Sequence, residues 1–252
     1  MKVYALQLDI VWQDREANYQ KVRELIRATD IMADSLIVLP EMFDLGFSMD
    51  TSITAQGESL PSDSFVKELA AETGACVLAG IVSDMQEGQP ANEAIAISPA
   101  GDELVRYRKM HPFTLSGEET KYATGKEHQI FKWADISIAP FICYDLRFPE
   151  IFRPAAQEGA EFIVVIANWP EKRSEHWVRL LQARAIENQA YVLGVNRCGS
   201  DPTLAYEGRS VLFDPHGNCI FEMDGTEQIQ SAEIDLQTVT NWRDEFPALK
   251  DI

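Results

Sequence analysis

The chain has 252 residues, 46% of them hydrophobic, enough for a substantial core in one or two domains. It carries 22 basic and 40 acidic residues for a net charge of −18, with the acids spread along its whole length. That field repels phosphate backbones and anionic lipid, so neither a nucleic-acid partner nor a membrane surface is expected.

From the N-terminus, MKVYALQLDIVW is a short apolar run interrupted by Gln7 and Asp9. It reads as a strand over residues 3–11 and not as a signal peptide. No stretch reaches the roughly 18 apolar residues that span a bilayer. Residues 15–30 place Val22, Leu25 and Ile26 at helical spacing. SLIVLPEM, residues 35–42, reads as a buried strand ending at Pro40. Ser62 or Asp63 is the candidate cap of a helix over 64–74, closed by Gly74. Residues 75–83 form a strand, and 92–111 a hairpin turning at Pro99, Ala100 and Gly101.

The second half repeats the theme. Residues 135–145 read as a strand, 150–160 as a helix closed by Gly159, and 161–170 as a buried strand. Residues 176–190 form an amphipathic helix, 191–198 a strand, and 208–223 a hairpin turning from Asp214 to Gly217. The tail from Asp235 is mixed and polar. Strands alternating with helices predict an α/β fold, and the hairpins predict mixed sheets. No linker rich in Gly, Ser or Pro divides the chain, so one domain over residues 1–252 is expected. The four cysteines, Cys76, Cys143, Cys198 and Cys219, contain no CxxC pair, so neither a zinc site nor a disulfide framework is indicated. Reduced thiols and a cytoplasmic location are expected.

Three polar residues follow apolar strands: Glu41 after SLIVLP, Lys109 after ELVRYR and Cys143 after APFI. Singly, each has a plain structural explanation: a strand end meeting solvent, a solvated basic run, a small core thiol. Together they form a chemical set. A thiol attacks a carbonyl only after losing its proton, which a nearby carboxylate can take, and a lysine can stabilise both the thiolate and the oxyanion formed on attack. Acyl transfer then needs no histidine, and the four histidines show no triad context.

VLPEMFDLGF (38–47), YRKMHPF (107–113), ICYDLRFPE (142–150), ANWP (167–170), LLQARAIENQAYV (180–192) and YEGRSVLFDPHG (206–217) stand in the order found in the nitrilase superfamily of carbon–nitrogen hydrolases, and the sequence resembles that family over nearly its whole length. The resemblance implies a four-layer α-β-β-α sandwich, a homodimer packed through the helices after the cysteine strand, and a catalytic triad of Glu41, Lys109 and Cys143. It places a second glutamate between the lysine and the cysteine. Glu118 and Glu119 both stand there, and the family's spacing of seven to a glycine, here Gly125, selects Glu118. HPF at 111–113 departs from the His-Leu-Phe-like start of many relatives. The backbone N–H of Tyr144 is expected in the oxyanion hole, with Asp145 and Arg147 fixing the bend through local ion pairs. No metal or organic cofactor is implied.

CYDLRFPE, ANWP and ARAIENQAYV most resemble the omega-amidase branch, whose substrates are ω-monoamides of dicarboxylates such as 2-oxoglutaramate and 2-oxosuccinamate. These carry a carboxylate remote from the scissile amide, which calls for a local cation. Arg173 is the candidate, with Phe43, Asn168 and Trp169 as pocket walls. Two other readings stand beside this one. The first is another amidase of the superfamily, such as an N-carbamoyl amino acid hydrolase. The second is a catalytically silent binding or assembly module, against which the presence of Glu41, Lys109 and Cys143 weighs.

Overall fold

The computed structural model describes residues 1–84 and 88–251. The chain begins with β1 (Lys2–Gln7), α1 (Arg15–Arg27), β2 (Leu36–Val38), α2 (Thr51–Thr54), α3 (Pro61–Thr73), β3 (Cys76–Val82), β4 (Asn92–Ile97) and β5 (Glu103–Arg108). It continues through β6 (Phe131–Trp133), β7 (Ile136–Ile142), α4 (Phe152–Gln157), β8 (Phe162–Ala167), α5 (Ser174–Asn188) and β9 (Tyr191–Asn196). The last stretch holds β10 (Cys198–Ser200), β11 (Ala205–Glu207), β12 (Val211–Phe213), β13 (Cys219–Glu222), β14 (Gln228–Glu233) and α6 (Leu236–Glu245). The strands make two mixed six-stranded sheets, ordered β14-β1-β2-β3-β4-β5 and β13-β12-β9-β8-β7-β6, plus a ribbon of β10 and β11.

Alternation along the strands of the first sheet builds the layers. Val3, Ala5, Leu36, Val38, Cys76 and Leu78 point into a core shared with the second sheet. Their neighbours Tyr4, Leu6, Ile37, Val77 and Ala79 pack on the other face, against Tyr19 and Val22 of α1 and Phe65 and Leu69 of α3. The second sheet is covered on its far side by Phe152 and Ala155 of α4 and by Trp177 and Leu181 of α5. The architecture is therefore the expected α-β-β-α sandwich. It explains why β8, FIVVIA, is an unbroken apolar run: both of its faces are buried. Among the described residues no helix is long and apolar enough to cross a membrane.

The structure departs from the sequence expectations at element ends. β1 stops at Gln7, short of residue 11, where its ladder with β14 also stops; beyond it Asp9 bridges to Cys198. α3 begins at Pro61, so Ser62 and Asp63 lie inside its first turn and do not cap it. Their N–H groups donate to the side-chain oxygen of Gln56 at 2.7 and 3.2 Å, a cap supplied from outside the helix. Gly74 ends α3 in the left-handed conformation. The polar tail forms α6, capped by Asp235. β14, QIQSAE, pairs antiparallel with β1 although it has almost no apolar pattern, because an edge strand is held by its ladder.

Gly80 in β3 locks the two sheets at one point. A Cβ there would lie 2.5 Å from the Glu41 Cα and 2.7 Å from the Ile166 Cδ1 of β8. Only a glycine lets the chain leaving β2 pass this close. Gly80→Ala is expected to lower the unfolding free energy by about 1–3 kcal/mol, read as a reduced midpoint in urea with an unchanged m-value.

Candidate active site

Each candidate side chain leaves the end of a strand. Glu41 follows β2, where Leu39 N–H donates to Leu78 O at 2.8 Å and Gly80 N–H to Pro40 O at 3.2 Å. Lys109 follows β5; its N–H donates to Asn92 O at 3.0 Å, and its carbonyl accepts from Gly125 N–H at 2.8 Å. Gly125 sits so close that a Cβ would fall 2.1 Å from Arg108 O, which gives its spacing from Glu118 a steric cause. Glu118 opens a 3-10 turn, Glu118–Thr120, immediately after Gly117 in the left-handed conformation.

Cys143 follows β7 with φ at +48°, a left-handed setting that costs a non-glycine residue on the order of 1 kcal/mol. Asp145 holds this bend. Fully buried, it accepts from the Ile142 N–H at 3.0 Å and the Tyr107 hydroxyl at 2.8 Å through one oxygen, and from the His111 N–H at 2.9 Å through the other. The expected ion pair with Arg147 is absent among the described residues. Arg147 instead approaches the His176 ring nitrogen at 3.1 Å and lies over the Trp169 ring at 4.8 Å. Asp145 is held instead by two backbone N–H groups, the Tyr107 hydroxyl and the His111 ring, whose Nδ1 lies 3.2 Å from Oδ1.

Glu41, Lys109 and Glu118 are almost wholly buried and bonded to one another. The Lys109 ammonium donates to Glu41 Oε1 at 2.9 Å and to both Glu118 oxygens at 3.1 and 2.9 Å. The Asn92 side-chain N–H₂ bridges the same carboxylates, at 2.7 Å to Glu41 and 2.9 Å to Glu118. The backbone N–H of Asn168 donates to Glu41 Oε2 at 2.8 Å, and that of Phe113 to Glu118 Oε2 at 2.6 Å. The Cys143 sulfur lies 4.0 Å from Asn168 O. Glu119 is exposed.

Two carboxylates thus face one ammonium. Burial, the largest influence on Lys109, works against its charge, but Glu118, Glu41 and Cys143 outweigh it and hold the ammonium well above its usual range. Burial and then Glu41 push the Cys143 thiol well above the ordinary cysteine range, with Lys109 opposing. The site therefore holds a neutral thiol beside a carboxylate that can accept its proton.

Cys143 opens onto a cleft lined among others by Phe47, Phe113, Tyr144, Asn168, Trp169 and Leu204. Arg147 and Arg173 also line it. Arg173 lies over the Phe113 ring at 5.5 Å, and neither arginine has a carboxylate partner among the described residues. Burial and the neighbouring Arg173 both lower the pKa of Arg147, the mark of two like charges facing one space. Phe43 is not in this cleft. It is buried on the helix side of the first sheet, 6.0 Å from Tyr19 and 5.7 Å from Phe65. Phe47, four residues further on, takes the wall position and lies 5.1 Å below the Lys109 ammonium. His216 rests on Trp242 of α6, away from the cleft.

Asn92 carries no motif in the sequence beyond being the amide that heads the strand NEAIAI. Asn168 was expected as a pocket wall, but it also orients Glu41 through its backbone.

Residues 2–244 match the carbon–nitrogen hydrolase family. The chain is 36% identical over 253 residues to an omega-amidase of Yersinia enterocolitica, YafV, covering 100% of this chain and 96% of that one. It is 33% identical over 251 residues to a 2-oxoglutaramate amidase of Bacillus subtilis, covering 99% and 96%. A CN-hydrolase superfamily protein of Xanthomonas campestris, solved with an arsenic adduct in its active site, superposes with a TM-score of 0.93 at 31% identity, covering 100% and 97%.

The charge arrangement fixes how the thiol responds to substitution. Glu118→Gln removes one of the two negative charges that oppose the thiolate. The pH midpoint for iodoacetamide modification of Cys143 is expected to fall relative to the wild type. Lys109→Met is expected to move it the other way. Mass spectrometry of the alkylated peptide across a pH series reads both.

Proposed function

We propose, for a chain that belongs to the carbon–nitrogen hydrolase family, that its substrate is the terminal amide of a small dicarboxylic acid monoamide, of the 2-oxoglutaramate or 2-oxosuccinamate type. The observation that carries this reading is the pair Arg147 and Arg173, without carboxylate partners, in the cleft that ends on Cys143. In a chain of net charge −18 such a pair marks a place kept for an anion. The named activities of the similar omega-amidase and 2-oxoglutaramate amidase support the same substrate class.

The proposed chemistry uses the side chains gathered around Cys143. Glu41 takes the proton of Cys143, and the thiolate attacks the amide carbon. Lys109 and the Tyr144 N–H hold the developing oxyanion. Glu41 returns the proton to the leaving nitrogen, ammonia departs, and a thioester remains on Cys143. Glu41 then activates the water that hydrolyses it. Glu118 and Asn92 take no part in bond making. They hold Lys109 and Glu41 in register, since an ammonium this deeply buried needs both carboxylates to stay charged.

The same reading covers assembly. All 252 residues act as one catalytic domain, and two copies pair through the side bearing α5. Ile186 of α5 is 53% exposed beside the β12–β13 turn, and Phe246 is 56% exposed beside Trp242, apolar surface in keeping with a covered face. Light scattering is expected to give twice the chain mass, and Ile186→Asp to shift it towards the monomer.

Ammonia release from a panel tests the substrate. Wild-type protein is expected to prefer 2-oxoglutaramate and 2-oxosuccinamate over glutamine, asparagine, a carbamoyl amino acid and a simple nitrile. Preference for the carbamoyl compound would keep the thiol chemistry and replace the substrate. Cys143→Ala is expected to abolish turnover. Arg173→Gln and Arg147→Gln are each expected to raise KM about 10- to 100-fold with kcat little changed, the loss of one charge-assisted hydrogen bond.

A further inference from the structure

The ribbon of β10 and β11 belongs to neither large sheet, and its loop carries Leu204 into the cleft. Pro202, Thr203 and Ala205 around it are exposed, whereas Leu204 is half-buried. β11 packs against the turn Glu171–Arg173, so the loop meets the cleft on the side of Arg173.

For a surface loop it is tightly tied. Asp201 Oδ1 accepts from the N–H groups of Thr203 and Leu204 at 2.7 and 2.8 Å and from the Thr203 hydroxyl at 2.9 Å. The Asp201 N–H donates to Leu204 O at 2.9 Å. Asp201 Oδ2 accepts from the Tyr206 hydroxyl at 2.6 Å. Tyr206 is itself buried, with the Arg197 guanidinium 4.4 Å from its ring centre. Arg197, with no exposed surface, donates to the carbonyls of Ser200, Cys198 and Ile10. None of these bonds reaches the thiol, the lysine or the two glutamates. What they fix is the place of one leucine.

We propose that Leu204 is a specificity-determining residue, an apolar stop that limits how many carbons separate the scissile amide from the distal carboxylate. Asp201 and Tyr206 are positioning residues that keep the stop in place. This rests on the monoamide reading above. An amide carbon at Cys143 and a carboxylate at the arginines fix both ends of the substrate. Extra methylenes must then bow outward against a wall, and a tied leucine yields little. Apolar walls of this kind discriminate about 10- to 200-fold per methylene.

The test is kcat/KM for ammonia release from the linear four-, five- and six-carbon monoamides, with wild type, Leu204→Ala, Leu204→Phe and Tyr206→Phe, each checked for folding by its melting curve. The six- to four-carbon ratio is expected to rise about tenfold or more in Leu204→Ala and to fall in Leu204→Phe. Tyr206→Phe, which unties Asp201, is expected to move it in the alanine direction through KM and not through kcat. Wild-type activity on the series with ratios unchanged within twofold in the Leu204 variants overturns the role of Leu204. Inactivity of the wild type on every member overturns the monoamide reading, and this inference with it.

Discussion

The ammonium of Lys109, shared between Glu41 and Glu118, is the interaction on which the rest of the site depends. Its side chain is 2% exposed and those of the glutamates 0% and 1%. Burying three such charges is costly, and an unpaired one would cost several kcal/mol more. The chain meets that cost by satisfying the group from every side. Asn92 at the head of β4, Phe113 in the loop after β5 and Asn168 after β8 each donate to a carboxylate. The network draws on the ends of strands from both sheets, so the seam between the sheets and the site are one construction. Gly80, against which the Glu41 backbone rests, belongs to both.

The second constraint is the bend that presents the thiol. Cys143 takes a left-handed backbone that its side chain disfavours, and Asp145 closes it through Ile142, Tyr107 and His111. Arg184 of α5 reaches the same bend, donating to Leu146 O at 2.8 Å. The strain is therefore held by a helix behind the sheet as well as by the strand before it. A thiol so placed, surrounded by more negative than positive charge, rests protonated. Under the proposed chemistry its reactivity is conditional: it waits for Glu41 to take the proton as a substrate arrives, which keeps a buried thiol from reacting with passing electrophiles.

The fold was legible in the sequence wherever hydrophobic period and turn chemistry agreed. Apolar runs such as FIVVIA announced strands buried on both faces, and the 92–111 hairpin followed from its Pro-Ala-Gly turn. Legibility failed where structure is imposed from a distance. QIQSAE is a strand only because β1 offers it a ladder, and α3 starts at Pro61 because Gln56, outside the helix, caps it. The site divides the same way. Glu41, Lys109 and Cys143 stand at strand ends with recognisable neighbours. Asn92 is a lone amide whose role exists only once β4 lies beside β5. Phe43 and Phe47 share one short segment, and nothing in their order tells which ring faces α3 and which faces the cleft; the turn between them decides.

Under the proposed reading, a chain of net charge −18 takes a carboxylate substrate and must reconcile long-range repulsion with local attraction. At physiological salt the surface charges are screened beyond about 8 Å, so the repulsion fades over a short distance. Inside the cleft screening is weaker, and the nearest full charges it presents are those of Arg147 and Arg173. Trp169 and Phe113 lie under these guanidiniums, fixing their planes at small entropic cost and shielding one face from water. The mutual repulsion of the two arginines is the free energy that an entering carboxylate relieves. On that reading, specificity for an acid arises from two cations held close together before the substrate arrives, in a chain whose net charge is −18.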